Sequence, residues 1–254
     1  MYPIVFSYKI IQIGGYGIML GLAFYLAFAL FERELKIHGK DPELAYKLLL
    51  LVIPSAIIGA KIFHIIENFD SFLNDPFGMI FSGAGLTVYG GFIVALSASV
   101  FLIRANGEKV LEIFDLVSAP MSLGYAIGRI GCHVAGDGCY GIRTDSFLGV
   151  AYPNGIVPTS SEVLPTPLFE SFVAFMIVIL LLHLRKRTFI TGRIFFLYLI
   201  LNGIARFSVE FVRLNEKIAL GLTQAQFIAV LFAITGIIGW VMAEKIEQGG
   251  AAAG

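Results

Sequence analysis

Seven long apolar stretches dominate the sequence and leave few folds open to it. Each is long enough to cross about 30 Å of hydrocarbon as a helix that rises about 1.5 Å per residue. Because a bilayer core offers no water to backbone polar groups, such stretches predict membrane-spanning helices. They lie at about 13–31, 44–66, 85–103, 114–132, 167–184, 192–211 and 222–243.

Composition excludes the main soluble alternatives. Of the 254 residues, 57% are apolar and 14% are charged, whereas soluble domains carry about 25% charged residues. This argues against a nucleic-acid-binding module, a disordered regulator and a soluble two-domain enzyme. We therefore expect an all-α integral membrane protein, with one seven-helix transmembrane domain over 1–246 and a flexible tail at 247–254.

The basic residues predict the orientation, because short cytoplasmic loops retain Lys and Arg. Eleven of the 18 Lys and Arg residues fall on one side of the seven spans, four fall on the other, and three lie within spans. The N-terminus is therefore predicted outside and the C-terminus in the cytoplasm. Two large loops, 67–84 and 133–166, then lie on the outer face, and the first contains no Lys or Arg.

Three cations lie late in spans that run outward, so they are predicted at one depth in the outer leaflet. They are Lys61, Arg129 and Arg206. An ionisable group inside a membrane helix costs several kcal/mol and is a functional candidate. A phospholipid headgroup is the anion most available at that depth, and the planar guanidinium binds phosphate through two hydrogen bonds. The alternatives are snorkelling to the interface or structural pairing with Glu67, Asp137 or Glu210.

A stripe of alternating charge follows the last of these cations. Glu210 comes four residues after Arg206, and Arg213 comes three residues after Glu210, which places all three on one helix face. The stripe can pair with itself at the helix end. We expect it also to orient Arg206 while leaving one donor edge of its guanidinium available.

The segment 128–141 is the densest in chemically active residues. It contains five glycines, which permit positive φ angles and close backbone approach to a ligand. Its Cys132, His133, Asp137 and Cys139 match no usual zinc spacing, so we expect neither a metal nor another cofactor. A disulfide between the two cysteines remains possible if both face an oxidising compartment. A catalytic thiol is disfavoured because no adjacent base is evident.

At this segment the chain resembles the prolipoprotein diacylglyceryl transferase family. Further motifs in family order cover nearly the whole chain: Tyr16–Met19, Gly59–Lys61, Tyr89–Gly91, Pro165–Glu170, Arg206–Arg213 and Leu222–Gln226. The resemblance implies seven helices with the N-terminus outside, in the inner membrane of a bacterium.

The resemblance also implies an activity. The family transfers the diacylglyceryl group of phosphatidylglycerol to the thiol of the lipobox cysteine of preprolipoproteins and releases glycerol 1-phosphate. This is the first step of bacterial lipoprotein maturation. The implied partners are phosphatidylglycerol, signal peptides with a lipobox cysteine and membrane lipid, with no nucleic acid.

Residues of this chain match the family's site positions. Arg129 and Arg206 match its two essential arginines, Tyr16 its span-one tyrosine and Gly141 its signature-closing glycine. Together with Lys61, these residues are expected to bind phosphatidylglycerol. The residues expected to support the site are Asp137, Glu170, Glu210 and Arg213.

Departures from the family put the general base in question. Tyr89 and Leu164 stand where histidines are usual, and Cys132 stands where many members have asparagine. A tyrosine with a pKa of about 10 accepts protons poorly at neutral pH. We expect His133 to act as the base with Asp137 orienting it, and Tyr89 to act as a base or as a hydrogen-bond donor to phosphate. The expected catalytic residues are therefore Arg129, Arg206, Tyr89 and His133.

Two other functions compete with this interpretation. The first is a relative that binds phospholipid but uses another acceptor or performs no transfer. The absence of histidine at positions 89 and 164 favours it. A transporter for an anionic solute would need ionisable groups across the whole membrane, whereas the three intramembrane cations are predicted at a single depth.

Overall fold

The computed structural model describes residues 4–8, 11–82, 87–186 and 190–252. Its helices are α1 Gly15–Ile37, α2 Glu43–Glu67, α3 Phe69–Asn74, α4 Pro76–Phe81, α5 Val88–Ala105, α6 Val110–Ala135, α7 Thr166–Arg185, α8 Arg193–Val209 and α9 Gln224–Ala252. Seven of them, all except α3 and α4, are long and apolar enough to cross a membrane. The predicted class is confirmed: this is a multi-pass, mostly helical membrane protein.

Several helices extend beyond the apolar stretches that predicted them. Helix α1 continues to Ile37, well past residue 31, because good helix formers follow the apolar run and Lys36 pairs with Glu32 at 2.7 Å, one turn away. Helix α9 continues to Ala252, into the segment predicted as a tail. Residues 253 and 254 lie outside the described residues, and the flexibility of 247–254 remains a prediction.

Among the described residues, three antiparallel strand pairs lie outside the long helices, one before α1 and two in connecting segments, and they were not predicted. They are β1 Ile4–Tyr8 with β2 Ile11–Gly14, β3 Val150–Tyr152 with β4 Thr159–Val163, and β5 Lys217–Ala219 with β6 Leu222–Thr223. With two to five residues each, these strands are too short to give an alternating pattern in the sequence. Their pairing satisfies backbone polar groups outside the long helices.

The chain forms two compact units. The first contains Met1–Phe31 and Phe114–Gly254, and the second contains Glu32–Ile113. A single transmembrane domain over 1–246 remains a prediction about how the two units combine.

In the second unit, α2 and α5 cross at glycines. A Cβ atom on Gly59 would lie 2.6 Å from the Val94 Cβ, and one on Gly91 would lie 2.8 Å from the Ala56 carbonyl oxygen. Both distances are shorter than real Cβ contacts, so only glycine allows this approach. Close packing through small residues is the usual way in which helices associate in lipid.

The predicted outer loop 67–84 is largely helical, although residues 83 and 84 lie outside the described part. Helices α3 and α4 meet at Asp75, whose carboxylate caps α4 by accepting a hydrogen bond from the Gly78 N–H at 2.8 Å. Phe77 and Phe81 are exposed within the unit. A Pro at the first position of α4 and its Asp cap account for the helix start.

In the first unit, a carboxylate in α6 fixes the start of α8. The Asp115 side chain accepts hydrogen bonds from the Gly192 N–H at 2.6 Å and the Phe195 N–H at 2.7 Å. Gly192 has a φ of +88°, which favours glycine at this turn. The cap satisfies amide groups that a helix start leaves unpaired.

Candidate active site

Glu170, in the first turns of α7, is the centre of a buried polar cluster of the first unit. Its carboxylate, 4% exposed, lies 2.8 Å from the Arg129 Nε and 2.8 Å from the Arg213 Nη1. The Arg206 Nη1 lies 3.5 Å away, and the Tyr125 hydroxyl donates to the same carboxylate. The ends of α6 and α8 and the start of α7 therefore meet at one carboxyl group.

A second buried carboxylate, that of Glu210, holds the other side of the arginines. It lies 2.9 Å from the Arg206 Nη2 and 3.8 Å from the Arg213 Nε. The Thr223 hydroxyl donates to it at 3.0 Å, and the Asn215 amide donates to the same oxygen. The predicted stripe thus pairs with itself and also orients Arg206 toward Glu170.

We call the five residues Arg129, Arg206, Arg213, Glu170 and Glu210 the arginine cluster. Three guanidinium groups and two carboxylates leave it with one net positive charge. Arg213 is the most enclosed of these three arginines, at 9% side-chain exposure, against 16% for Arg129 and 26% for Arg206. Burial alone would lower the pKa of Arg213, but the charge of Glu170, its hydrogen bond with Arg213 and the nearby Cys139 together raise it. The cluster is therefore cationic. It is suited to bind an anion through the guanidinium groups of Arg129 and Arg206.

Arg129 and Arg206 keep donor groups that these ion pairs do not use. Arg129 contacts Glu170 through Nε, and its Nη1 lies 4.0 Å from the Cys132 Sγ. Arg206 contacts the carboxylates through its two terminal nitrogens. The predicted convergence of these two arginines is found, at the same end of α6 and α8.

At Gly141, the segment that follows α6 forms backbone hydrogen bonds with the segments before α7 and after α8. The Gly141 N–H donates to the Leu164 carbonyl at 2.8 Å, and the following Ile142 N–H donates to the Val212 carbonyl at 2.9 Å. A Cβ atom at this position would collide with the Val212 carbonyl oxygen and lie 2.8 Å from the Thr166 methyl. Gly141 therefore acts here through close backbone packing beside Arg213, and its predicted contact with lipid remains a prediction.

Tyr16, the second residue of α1, packs against the same end of α6. A Cβ on Gly131 would lie 3.3 Å from the Tyr16 ring and 3.0 Å from the Met19 Cβ. Gly131 follows Arg129 by two residues, so the glycine allows α1 to approach the helix end that carries this arginine. The structure thus brings Tyr16 near the segment predicted to form the site.

We call residues 132–141, the last turn of α6 and the segment after it, the cysteine loop. Both cysteines are free thiols. The sulfur atoms of Cys132 and Cys139 and a carboxylate oxygen of Asp137 lie within 4.8 Å of one another. Among the described residues, these are the three donor atoms that come close enough together to hold a metal ion. A hydrogen bond from Cys132 lowers the pKa of the Cys139 thiol to about 6, against the effects of burial and of Asp137.

His133 pairs with an aromatic residue of the β3–β4 hairpin, whereas Asp137 was expected to orient it. Its Nδ1 lies 2.9 Å from the Tyr152 hydroxyl, and the two rings meet edge to face at 5.5 Å. The Asp137 carboxylate instead accepts a hydrogen bond from the Cys139 N–H at 3.1 Å. Burial raises the pKa of Tyr152 to about 12, so its hydroxyl keeps its proton at neutral pH.

Two predicted site residues belong to the second unit. The Lys61 ammonium donates to the Met79 carbonyl at 3.0 Å and to the Ser82 carbonyl at 2.9 Å, and so caps the end of α4. Tyr89 is the second residue of α5 and is 45% exposed. Phosphate binding by either residue stays a prediction, but the contacts of Lys61 give it a clear structural role.

An apolar cavity of about 610 Å³ adjoins the arginine cluster. It runs between α7, α8 and α9, and Glu170 and Arg206 contribute to its wall. Most of its lining is apolar; the lining residues include Phe169, Val173, Ile177, Val209, Ile228, Ala229 and Phe232. An apolar space that meets a cationic group suits an amphiphile with an anionic head.

Several residues of the site were missed from the sequence. Tyr125 donates to Glu170, and the Arg129 guanidinium lies 4.9 Å from the centre of its ring. Its position one turn before Arg129 is a signal that could have identified it. Tyr152 had no comparable signal, because its partner lies in another segment. Thr223 lies in the motif Leu222–Gln226, but its contact with Glu210 was not predicted.

Comparisons with known proteins agree on one family. Residues 3–242 match the family described as prolipoprotein diacylglyceryl transferase. A phosphatidylglycerol–prolipoprotein diacylglyceryl transferase 2 of Clostridium perfringens is 32% identical over 232 residues, 90% of each chain. The phosphatidylglycerol–prolipoprotein diacylglyceryl transferase of Clostridium tetani is 31% identical over 240 residues, 93% of this chain and 96% of the relative. A transferase of the same name from Leptospira interrogans is 33% identical over 229 residues, 80% of this chain and 72% of the relative.

Proposed function

The chain belongs to the prolipoprotein diacylglyceryl transferase family, and we propose that it transfers the diacylglyceryl group of phosphatidylglycerol to the thiol of a lipobox cysteine in a preprolipoprotein. The arginine cluster is the main support for this proposal. It is buried, it has one surplus positive charge, and it adjoins an apolar cavity.

The charge of the cluster fits the substrate and the leaving group. A phosphodiester carries one negative charge, which balances the surplus of the cluster. As the carbon–oxygen bond to phosphate breaks, the departing glycerol 1-phosphate gains further negative charge. Arg129 and Arg206 are held by Glu170 before the reaction, so they stabilise this charge without reorganising.

The cavity fits the apolar part of the substrate. Its wall combines apolar side chains of α7, α8 and α9 with the Arg206 guanidinium. An acyl chain in this space would place the phosphate of the same lipid near the cluster. Fixing the lipid at both its apolar and charged parts aligns the glycerol carbon for attack.

The acceptor thiol must lose its proton before or during attack. Its sulfur then forms a bond to the glycerol carbon, and the bond from that carbon to the phosphate oxygen breaks. If the His133 Nδ1 donates its hydrogen to the Tyr152 hydroxyl oxygen, the His133 Nε2 can accept the thiol proton. The raised pKa of Tyr152 supports a neutral partner for the imidazole. Tyr89 remains the second candidate for this step, or for a hydrogen bond to phosphate.

The proposed setting follows from the proposed reaction. The chain is a multi-pass membrane protein, and its substrates would meet it in the inner membrane of a bacterium. The positive-inside count supports an orientation in which the arginine cluster would lie in the outer leaflet. Signal peptides with a lipobox cysteine and phosphatidylglycerol would be its partners there.

A transfer assay tests the proposal. The purified chain in phosphatidylglycerol micelles receives a lipobox peptide, and mass spectrometry records the diacylglyceryl adduct while released glycerol phosphate is quantified. We expect both products in equal amounts, and neither with Arg129→Ala or Arg206→Ala. Arg143→Ala, which removes an exposed arginine of the loop 133–166, is the matched control and should retain full activity.

Three outcomes would contradict parts of this proposal. Activity in either arginine variant would contradict the phosphate-binding role of that residue. Lipid binding without a peptide adduct would favour the relative that uses another acceptor or performs no transfer. Full activity of His133→Ala would assign the base elsewhere. A peptide with serine in place of its cysteine should accept no lipid.

A further inference from the structure

The proposed transfer does not use either of the two cysteines of the chain. Cys132 is buried in the last turn of α6, and Cys139 is half-buried in the segment that follows. Their sulfur atoms lie within 4.8 Å of each other. Two free thiols this close, in a chain with no other cysteine, form a self-contained pair.

Backbone geometry brings the two thiols together. Gly136 and Gly138 have φ angles of +62° and +88°, which turn the chain back over the end of α6. The Asp137 carboxylate holds the turn by accepting a hydrogen bond from the Cys139 N–H. On the other side, the Thr166 hydroxyl donates to the Cys139 carbonyl at 2.6 Å. The position of Cys139 is therefore fixed at both ends.

We propose that Cys132 and Cys139 are a reversible thiol–disulfide pair, oxidised by an external disulfide through thiol–disulfide exchange. The Cys139 thiolate attacks the external disulfide and releases one of its halves as a thiol. Cys132 then loses its proton, attacks the Cys139 sulfur in the mixed disulfide and releases the second half. The protein loses two hydrogen atoms, and the external disulfide gains them as two thiols.

The order of the two steps follows from exposure and from the environment of each sulfur. Cys139 is the less buried thiol and is the one whose thiolate is favoured, because Cys132 donates a hydrogen bond to it. Cys132 is buried beside it and is placed to resolve the mixed disulfide. The orientation predicted from the basic residues places both on the outer face, where disulfides persist.

Oxidation would also change the surroundings of the arginine cluster. The Cys132 sulfur lies 4.0 Å from the Arg129 Nη1. A bond from this sulfur to Cys139 would tie the end of α6 to the segment that contacts the start of α7 through Thr166. The disulfide would thus restrain the loop that borders the phosphate-binding arginines.

The test uses the full chain, purified in detergent and fully reduced. It is equilibrated with mixtures of reduced and oxidised glutathione, trapped by alkylation and analysed as intact mass and as peptides. We expect both thiols to become unreactive together, in a product two hydrogen atoms lighter and without glutathione. The oxidised chain should also denature at a higher temperature than the reduced chain, because the closed loop restricts the unfolded state.

Cys132→Ser and Cys139→Ser are matched controls, because each leaves one thiol in the chain. Each variant should keep a glutathione adduct that wild type resolves, and the adduct should form faster in Cys132→Ser. Neither variant should gain thermal stability under oxidising glutathione. Persistent glutathione adducts on wild type, or independent oxidation of the two thiols, would overturn the proposal. A one-to-one complex with Zn²⁺ that blocks oxidation would also overturn it, by identifying the cluster as a metal site.

Discussion

The two units of the chain each contain a network of charged residues, and the two networks differ in burial and balance. In the second unit, Lys40 bridges Glu108 at 2.5 Å and Glu112 at 2.9 Å, and Lys109 lies 3.2 Å from Glu112. We call these four residues the lysine network. Its charges cancel, and its side chains are 20% to 79% exposed. In the arginine cluster the two carboxylates are at most 4% exposed, and one positive charge is left over.

The comparison shows that the number of charges does not identify a binding site in this chain. A balanced, solvated network ties segments together and needs no ligand. Burying a cluster with a surplus charge has a desolvation cost that its internal ion pairs do not fully offset. A bound anion reduces this cost, because it neutralises the surplus charge. The first arrangement is structural, and the second is suited to hold a phosphate.

The largest expected effect is the loss of the central carboxylate. Glu170→Gln removes the negative charge shared by three arginines, and breaking buried pairs of this kind costs about 3–5 kcal/mol. We expect a large fall in thermal stability in detergent and no measurable lipid transfer. Glu108→Gln in the lysine network should cost at most about 1 kcal/mol, because its pair is partly exposed. Equal losses in both variants would remove the distinction between the two networks.

A smaller effect is expected from the glycine beside the arginine cluster. Gly141→Ala places a Cβ against the Val212 carbonyl oxygen and the Thr166 methyl, and overpacking of this kind costs about 1–3 kcal/mol. Transfer activity should fall with stability, because the displaced segment leads to Arg213. Gly39, beside Lys40, has a φ of +66° and open space around it, so Gly39→Asn should be tolerated. Tolerance at both positions, measured by thermal denaturation and transfer rate, would contradict the packing argument.

The smallest effect concerns the pH dependence of the cysteine loop. Because the pKa of Cys139 is lowered to about 6, its thiolate persists from alkaline pH down to about pH 6 and is lost below it. The rate of alkylation should follow this curve. In Cys132→Ala the hydrogen bond is absent, and the midpoint should move up toward the usual pKa of about 8.5. Cys132→Ser keeps a hydroxyl donor and should shift the midpoint less. An unchanged midpoint in Cys132→Ala would show that another group stabilises the thiolate.

Hydropathy and resemblance predicted most of the fold, and they predicted the site in outline. The seven spans follow from apolar length, and the convergence of Arg129 and Arg206 follows from their equal predicted depth. The central place of Glu170 was not predicted, because its partner Arg213 lies 43 residues away in the chain. A single sequence carries no signal for such a distant pair. The sequence indicated Glu170 only as a supporting residue.

The roles of residues that bind neighbouring groups in place of the expected partner were the hardest to predict. Lys61 has the charge expected of a phosphate ligand, but its ammonium satisfies carbonyl groups at the end of α4. The sequence could not reveal this, because α4 lies in a segment predicted as a loop. Asp137 was expected to orient His133, yet positive φ angles at Gly136 and Gly138 direct Asp137 to Cys139.

The shared carboxylate of Glu170 also constrains how the chain is assembled in the membrane. Arg129 lies near the end of α6, and its carboxylate partner is synthesised later, at the start of α7. Until that partner arrives, α6 holds a cation whose insertion alone costs less than the value of about 2.5–3.5 kcal/mol at the bilayer centre but is still unfavourable. Insertion of α6 and α7 as a pair avoids this cost. Glu170, which organises the site, would then also require α6 and α7 to enter the membrane together.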